Sequence, residues 1–162
     1  MTDFSIRHHL KDGDLGEIVA LHGRMYGPLP KFGLRFEAFV AQTIAEYMLE
    51  ADQNGRIWQA ERDGRLVGCT AIVLRPGDAA QLRWVLVDSA MRGAGLGGQL
   101  VRTSIEWSRE QGCTHVFLET TDGLPESQAL YEKLGFTLEH ESVEELWDGP
   151  AALIRMRLEL SG

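Results

Sequence analysis

The stretch Trp84-Val85-Leu86-Val87-Asp88-Ser89-Ala90-Met91-Arg92-Gly93-Ala94-Gly95-Leu96-Gly97-Gly98 decides how the rest of the chain is read. Its apolar opening reads as a strand, and a helical pattern begins at Leu96. Between them Gly93, Gly95, Gly97 and Gly98 let the backbone take up φ > 0 and approach a ligand closely at little steric cost. A strand, a glycine-rich turn and a helix N-terminus aim unpaired N–H groups and the positive end of a helix dipole at one point. That arrangement suits a phosphate.

Outward from the loop, the chain before it is rich in strand signals. Arg56 to Arg62 and Leu66 to Leu74 flank Asp63-Gly64, a strong hairpin signal. Arg75-Pro76-Gly77-Asp78 turns the chain into a strand over Gln81 to Val87, so an antiparallel meander leads up to the glycines. Earlier, Phe4 to His8 reads as a short strand. Asp12 or Asp14 caps a helix to about Tyr26, with Leu15, Ile18, Val19, Leu21 and His22 facing inward. Gly27-Pro28-Leu29-Pro30 breaks it, and a second helix runs from about Phe36 to Leu49. After the loop come a helix over Leu96 to Gln111, a strand over Thr114 to Thr121, a helix over Pro125 to Leu134 and two further strands. The pattern predicts an α+β fold with a mixed sheet.

Bulk properties narrow the possibilities. The 162 residues are expected to form one domain, 1–162, large enough to bury a core. No apolar run is long enough to span a bilayer and Met1-Thr2-Asp3-Phe4 lacks a signal pattern, so a cytoplasmic protein with no membrane partner is expected. Cys69 and Cys113 are the only cysteines, which fits a reducing compartment and gives no metal site; the histidines are scattered. A net charge of −8 argues against a nucleic-acid surface and means that local arginines and N–H groups must hold any anion. The same field favours a cationic second substrate. Glu139, Glu141, Glu144, Glu145 and Asp148 read as a solvated strand edge and loop.

Gly93, Gly95 and Gly98 also satisfy G-x-G-x-x-G, and Glu119 stands where a ribose-binding acid would, so a dinucleotide site must be weighed. Three features oppose it. Asp88 to Arg92 separate the loop from its strand, antiparallel strands precede it, and only one βαβ unit fits afterwards. A purely structural turn is the other alternative.

The segment from Leu86 to Gly97 resembles the acyl-CoA signature of the GNAT family of N-acetyltransferases. That signature is Arg or Gln, two residues, Gly, one residue, then Gly or Ala, and Arg92, Gly95 and Gly97 fill it. A second hallmark follows in Ala129-Leu130-Tyr131-Glu132-Lys133-Leu134-Gly135-Phe136. The resemblance covers essentially the whole chain. More narrowly, His8 through Val101 is similar to the acetyltransferase half of bacterial proteins that fuse a winged-helix regulator of the MarR type to this domain. It implies the GNAT fold, a mixed central sheet of about six or seven strands flanked by about four helices.

The resemblance further implies that backbone N–H groups of Arg92, Gly93, Ala94, Gly95, Leu96 and Gly97, with Gly98 beside them, hold the pyrophosphate of acetyl-CoA. The Arg92 guanidinium adds a charge-assisted contact. The pantetheine arm pairs with Val85, Leu86 and Val87, and a backbone N–H at Leu86 or Val87 polarises the thioester carbonyl. Tyr131 stands where the family often places its general acid, a phenol of pKa about 10 that returns a proton to the departing thiolate. Its alternative is a core tyrosine beside Leu130 and Leu134. Relatives carry an Asn near the start of that helix; here Ser127 or Gln128 substitutes.

The general base is less defined. Histone-modifying relatives carry a glutamate at the position of Gln81, whose amide cannot accept the proton. Glu119 and His115 share a face of the following strand. Glu119, near its carboxyl end, is the candidate base acting through a water, against the alternative of a carboxylate paired with an arginine. His22 is a further candidate or a satisfied histidine on an apolar stripe, and an amine of lowered pKa needs no base. No motif links Cys69 or Cys113 to a histidine, so direct transfer is expected rather than an acyl-enzyme.

The family builds its acceptor pocket from the N-terminal helices and last strands. Candidates here are Tyr26, Phe36 to Phe39, Trp58, Trp84 and Trp147, whose faces suit an amine by cation–π contact. The expected activity is direct, metal-free transfer of acetyl from acetyl-CoA to a primary amine of a small molecule or peptide. A non-catalytic acyl-CoA-binding regulatory module is the alternative, and analogy with relatives implies a homodimer.

Overall fold

A computed structural model describes residues 3–50 and 54–160, apart from the side chain of Pro125. Seven strands form one sheet in the order β1-β2-β3-β4-β5-β7-β6. They are β1 (Ser5–Arg7), β2 (Gly55–Arg62), β3 (Arg65–Arg75), β4 (Ala79–Val87), β5 (His115–Thr121), β6 (Thr137–Leu146) and β7 (Gly149–Glu159). The helices are α1 (Asp14–Tyr26), α2 (Gly33–Leu49), α3 (Leu96–Glu110) and α4 (Pro125–Lys133). Among the described residues only β4 and β5 pair in parallel, because α3 between them is the crossover of a βαβ unit. The expected α+β fold with a mixed sheet is the one observed.

Local chemistry explains the meander. The β2–β3 hairpin turns at Asp63 (φ 52) and Gly64 (φ 74), the left-handed pair that a tight hairpin between twisted strands requires. On one face of the sheet, α1 buries Ile18, Leu21 and His22, and α2 buries Val40, Ile44 and Tyr47, against Cys69, Ala71 and Val73 of β3. On the other face, Leu96, Leu100, Val101 and Ile105 of α3 pack with Tyr131 and Phe136. Gly68 permits that approach, since a Cβ there would stand 3.1 Å from Leu100 Cδ1. Two buried hydroxyls, Thr70 Oγ1 and Ser104 Oγ, satisfy each other across the same contact at 3.1 Å.

Three expectations need correction. Neither Asp12 nor Asp14 caps α1; Gly13 occupies the cap position in the left-handed region, with no side-chain cap. Asp14 instead accepts two hydrogen bonds from Arg7, at 2.7 and 2.8 Å, and one from Lys11 N. A charged fork outcompetes helix N–H groups for that carboxylate, and it ties β1 to the start of α1. The second helix begins at Gly33 rather than near Phe36. Trp58 lies on the α3 face, buried with its ring centroid 5.6 Å from that of Trp107, so it is a core residue remote from any acceptor. Cross-strand pairing with Thr70 fixes that orientation.

The late acidic segment is mostly β6, an exposed edge strand, with Asp148 in the turn to β7. Glu139 there takes Arg155 at 2.7 Å and Arg157 at 3.4 Å.

Candidate active site

The site begins where two strands part. β4 and β5 pair from Ala79–His115 to Leu82–Leu118 and no further. Beyond that point β4 stays with β3, where Leu86 faces Cys69, and β5 stays with β7 as far as Thr121–Leu153. Divergence starts at a bulge, because Ala71 faces Arg83 while Cys69 already faces Leu86. Trp84 takes φ 49 there, an uncommon conformation for a bulky residue. Two contacts hold it: its Nε1 donates to Thr43 Oγ1 at 3.0 Å, and the Cys69 thiol donates to its carbonyl at 3.1 Å. The result is a fork whose β4 limb, Val85 to Val87, has no strand partner on the β5 side.

One side of the fork opens into a cleft of about 470 Å³ over the glycine loop. Gly93 (φ 80) and Gly95 (φ 76) adopt the left-handed region, which is why glycine is needed at both. The first bond of α3 runs from Gln99 N to Gly95 O, so the N–H groups of Leu96, Gly97 and Gly98 have no intrahelical acceptor. A Cβ at Gly97 would come 3.3 Å from Leu130 Cδ2, so the loop rests directly on α4. Arg92, largely exposed, stands 3.8 Å from Glu126 across the mouth.

The other side holds a cavity of about 330 Å³. Phe36 and Phe39 of α2, Phe32 before it, and Trp147 in the β6–β7 turn form an aromatic wall, with Phe36 and Trp147 ring centroids 4.7 Å apart. Cleft and cavity share Tyr26, Val85, Leu124, Ser127 and Tyr131, so the two open onto each other through the fork. Tyr131 is 6% exposed, and burial raises its phenol pKa, with Tyr26 adding to the effect. Burial likewise raises Tyr26 to about 12. Nothing among the described residues hydrogen-bonds the Tyr131 hydroxyl. Both phenols therefore stay protonated at neutral pH.

Two cavities thus meet at one gap in the sheet. The model of the acetyltransferase (GNAT) family matches residues 28–136, which contain the fork, the loop and Tyr131. The chain belongs to the GNAT family. A glucosamine 6-phosphate N-acetyltransferase from Trypanosoma brucei brucei is 31% identical over 133 residues, covering 78% of this chain and 85% of its own. Among solved structures, the ribosomal-protein-S18-alanine N-acetyltransferase of Escherichia coli shares the fold with a TM-score of 0.77 at 22% identity, over 99% of this chain and 97% of that one. An acetyltransferase from Salmonella typhimurium, solved with acetyl-CoA, superposes with a TM-score of 0.73 at 20% identity, over 99% and 96%. This GNAT protein is an acetyl-CoA-dependent N-acetyltransferase acting on an amine. These names are of N-acetyltransferases for a sugar phosphate and for other acceptors; a regulator fusion is not among them.

Within this GNAT site the residues singled out from sequence fall into groups. Val85, Leu86, Val87, Arg92, Gly93, Gly95, Leu96, Gly97, Gly98, Ser127 and Tyr131 all line the cleft over the glycine loop. Ala94 and Gln128 do not; the Ala94 side chain packs toward the core. Glu119 lines the aromatic-walled cavity and is exposed, with no ion pair within 4 Å among the described residues. Arg155, opposite it in register, turns to Glu139 instead. Gln81 lines the cavity too, but its Oε1 accepts from Arg75 Nε at 2.8 Å.

The other candidates are accounted for by their surroundings. His22 is buried, its Nδ1 lies 2.8 Å from the Ile18 carbonyl, and burial lowers its pKa to about 4, the profile of a satisfied neutral histidine. His115 touches Thr114 and does not line the cavity. Burial pushes the Cys69 thiol up to about 12 and raises Cys113, so neither is a ready nucleophile.

Sequence reading missed Phe32, Arg83 and Thr121, all of which line the cavity. Strict alternation along β4 puts Arg83 and Trp84 on opposite faces; the bulge puts both on the α1–α2 face.

Proposed function

We propose that this GNAT enzyme moves the acetyl group in one direct step to a primary amine held in the aromatic cavity. The observation that carries this reading is the fork: a phosphate-ready loop and an acceptor cavity meet at Tyr131 through the gap between β4 and β5.

In this reading the N–H groups of Arg92 to Gly98 hold the pyrophosphate, and the unpartnered limb Val85–Val87 binds the pantetheine arm like an added strand. A backbone N–H of Leu86 or Val87 stabilises negative charge on the thioester oxygen during attack. Glu119, unpaired in the cavity, takes the proton released by the amine, through a water. The amine lone pair forms the new C–N bond, the C–S pair leaves on sulfur, and the Tyr131 phenol supplies the thiolate with its proton. Ser127, at the junction, contacts the pantetheine. The thiols of Cys69 and Cys113 take no part.

The acceptor is a small molecule or a peptide whose amine arrives protonated, and the net charge of −8 favours that cation. The relative from Trypanosoma brucei brucei makes a sugar amine such as glucosamine 6-phosphate a first compound to try. A cytoplasmic setting is supported by two free cysteines. No helix among the described residues is long and apolar enough to cross a membrane. Residues 1–162 as one domain, the homodimer and the kinship with regulator-fused domains belong to the same proposal and rest on the family resemblance.

Release of CoA thiol from acetyl-CoA, followed with a panel of amines, tests the reading. At least one amine should accelerate release well above hydrolysis. Tight acetyl-CoA binding without acceleration by any amine would favour a non-catalytic acyl-CoA-binding regulatory module.

A further inference from the structure

The acceptor cavity is mostly aromatic and apolar, yet its floor carries a matched pair of opposite charges. Among the described residues of its lining, Arg83 and Glu119 are the only formally charged side chains, since His22 is held neutral. They project from neighbouring strands just past Leu82–Leu118, the last pair before the fork. Arg83 is partly buried. Its guanidinium has no hydrogen bond and no ion pair within 4 Å among the described residues, and it lies over the Trp84 ring, 5.1 Å from Cζ to centroid. Burial and the Arg75 cation lower its pKa, while Glu119 and Glu46 act the other way. An arginine keeps its charge regardless, so the fork of donors is left without an anion.

A second group in the same cavity is also unsatisfied. Thr121 Oγ1, on the β5 limb of the fork, is fully buried with no hydrogen-bond partner, in a residue only 5% exposed. Buried hydroxyls without partners are uncommon in folded proteins, because each costs roughly 1–3 kcal/mol of lost hydration. A cation with no hydrogen-bonded anion and a hydroxyl with no partner line the same cavity, and an anionic group on a ligand would answer the needs of both. Arg83 and Glu119 each stand one residue past the last β4–β5 pair, on adjacent strands of one cavity, so an anion on the first and an ammonium on the second belong to one small molecule.

We propose that the acceptor is a small amine carrying its own anionic group, a carboxylate or phosphate, a few bonds from the nitrogen and attached to an apolar body. Arg83 binds the anion, Thr121 donates to it, Glu119 receives the ammonium, and Phe36 and Trp147 cover the apolar part. The size agrees: about 330 Å³ sits at the small end of the range for ligand pockets. The net charge of −8 repels anions at a distance, so a partly buried arginine in the cavity is the means of holding one. A peptide N-terminus, whose adjacent carboxylate is an amide, leaves Arg83 and Thr121 unsatisfied and is disfavoured. This specificity rests on the amine-acetylating function proposed above.

Titration calorimetry on the CoA-loaded protein tests it with two matched pairs: leucine against leucinamide, and phosphoethanolamine against ethanolamine. In at least one pair the anionic member should bind about tenfold tighter. The pair that shows the preference identifies carboxylate or phosphate as the recognised group. Arg83→Met should erase the preference while CoA affinity holds, and Arg83→Lys should retain part of it. Equal or tighter binding of the neutral-tailed members overturns the proposal, as does a preference that survives in Arg83→Met. Failure of every member to bind below about 10 mM overturns it too. Thiol release in parallel separates the two levels. Selective binding of the anionic member with no acetylation leaves the specificity standing and removes the function, whereas acetylation confined to leucinamide and ethanolamine does the reverse.

Discussion

Tyr131→Phe removes one oxygen at the junction of the two cavities and nothing else. The ring keeps its edge-to-face contact with Phe136, whose centroid is 5.9 Å away, and no described residue loses a hydrogen bond. Folding stability should therefore change by less than about 1 kcal/mol. The chemical consequence is larger. Loss of a positioned general acid costs on the order of 10²-fold or more in rate, which is about 2.7 kcal/mol of barrier at the lower limit. Because the proton is needed only as the C–S bond breaks, the loss should appear in kcat, with KM for acetyl-CoA within about threefold of wild type. The pH profile supplies an independent check. Burial raises the phenol pKa, so the acid form persists beyond the ordinary value and Tyr131 should impose no alkaline fall in kcat below about pH 10. Steady-state thiol release from pH 6 to 10 measures both quantities. A kcat within threefold of wild type, a loss confined to acetyl-CoA affinity, or a wild-type alkaline limb near pH 8 that vanishes in Tyr131→Phe would refute the assignment.

The remaining expectations concern the loop, the cavity and the helix start. Gly95→Val forces a β-branched residue to φ 76 at the start of α3; calorimetry should show acetyl-CoA affinity falling more than about a hundredfold while the circular dichroism spectrum is retained, and undiminished affinity would contradict the loop's role. Thr121→Val replaces an unpartnered buried hydroxyl with a methyl of similar shape and should stabilise the ligand-free protein by about 1 kcal/mol, so a lowered Tm in scanning calorimetry would show that the hydroxyl has a partner. The Arg7 guanidinium holds the Asp14 carboxyl below the usual range. A depressed folded pKa contributes stability that is present above the unfolded value of about 3.9 and lost as pH falls through the folded one. Urea midpoints should accordingly drop on acidification below about pH 4 more steeply in wild type than in Asp14→Asn, which should be the less stable at pH 7. Parallel acid limbs would exclude this pair as a source of acid sensitivity.

Much of the donor side was legible along the chain because it depends on local order. Glycines at positions 93 and 95 are needed by the backbone itself, and a strand, a turn and a helix in succession suffice to place N–H groups around a phosphate. The Asp63-Gly64 hairpin and the stripe of α1 were readable for the same reason: each is set by residues a few positions apart. The helix start at Asp14 was misread because its carboxylate found a partner on β1, a contact no local rule anticipates.

The acceptor side depended on the tertiary structure. A bulge at Trp84 shifts the register of β4, brings Arg83 onto the same face as Trp84 and opens the fork, and period-two reading of the sequence cannot foresee a shift of one residue. The same packing separates aromatics that look alike in sequence. Trp58 is buried under α3, whereas Trp147 folds back from a distant hairpin to meet Phe36 of α2. Consecutive residues were thus enough to place a phosphate-ready turn and, through the family signature they spell, to point to acetyl-CoA, because such a turn is built by neighbouring backbone groups. The environment of the acceptor, with one cation and one carboxylate left unpaired beside a buried hydroxyl, was decided only by the folding of distant segments against one another, because burial and charge pairing are properties of neighbours in space.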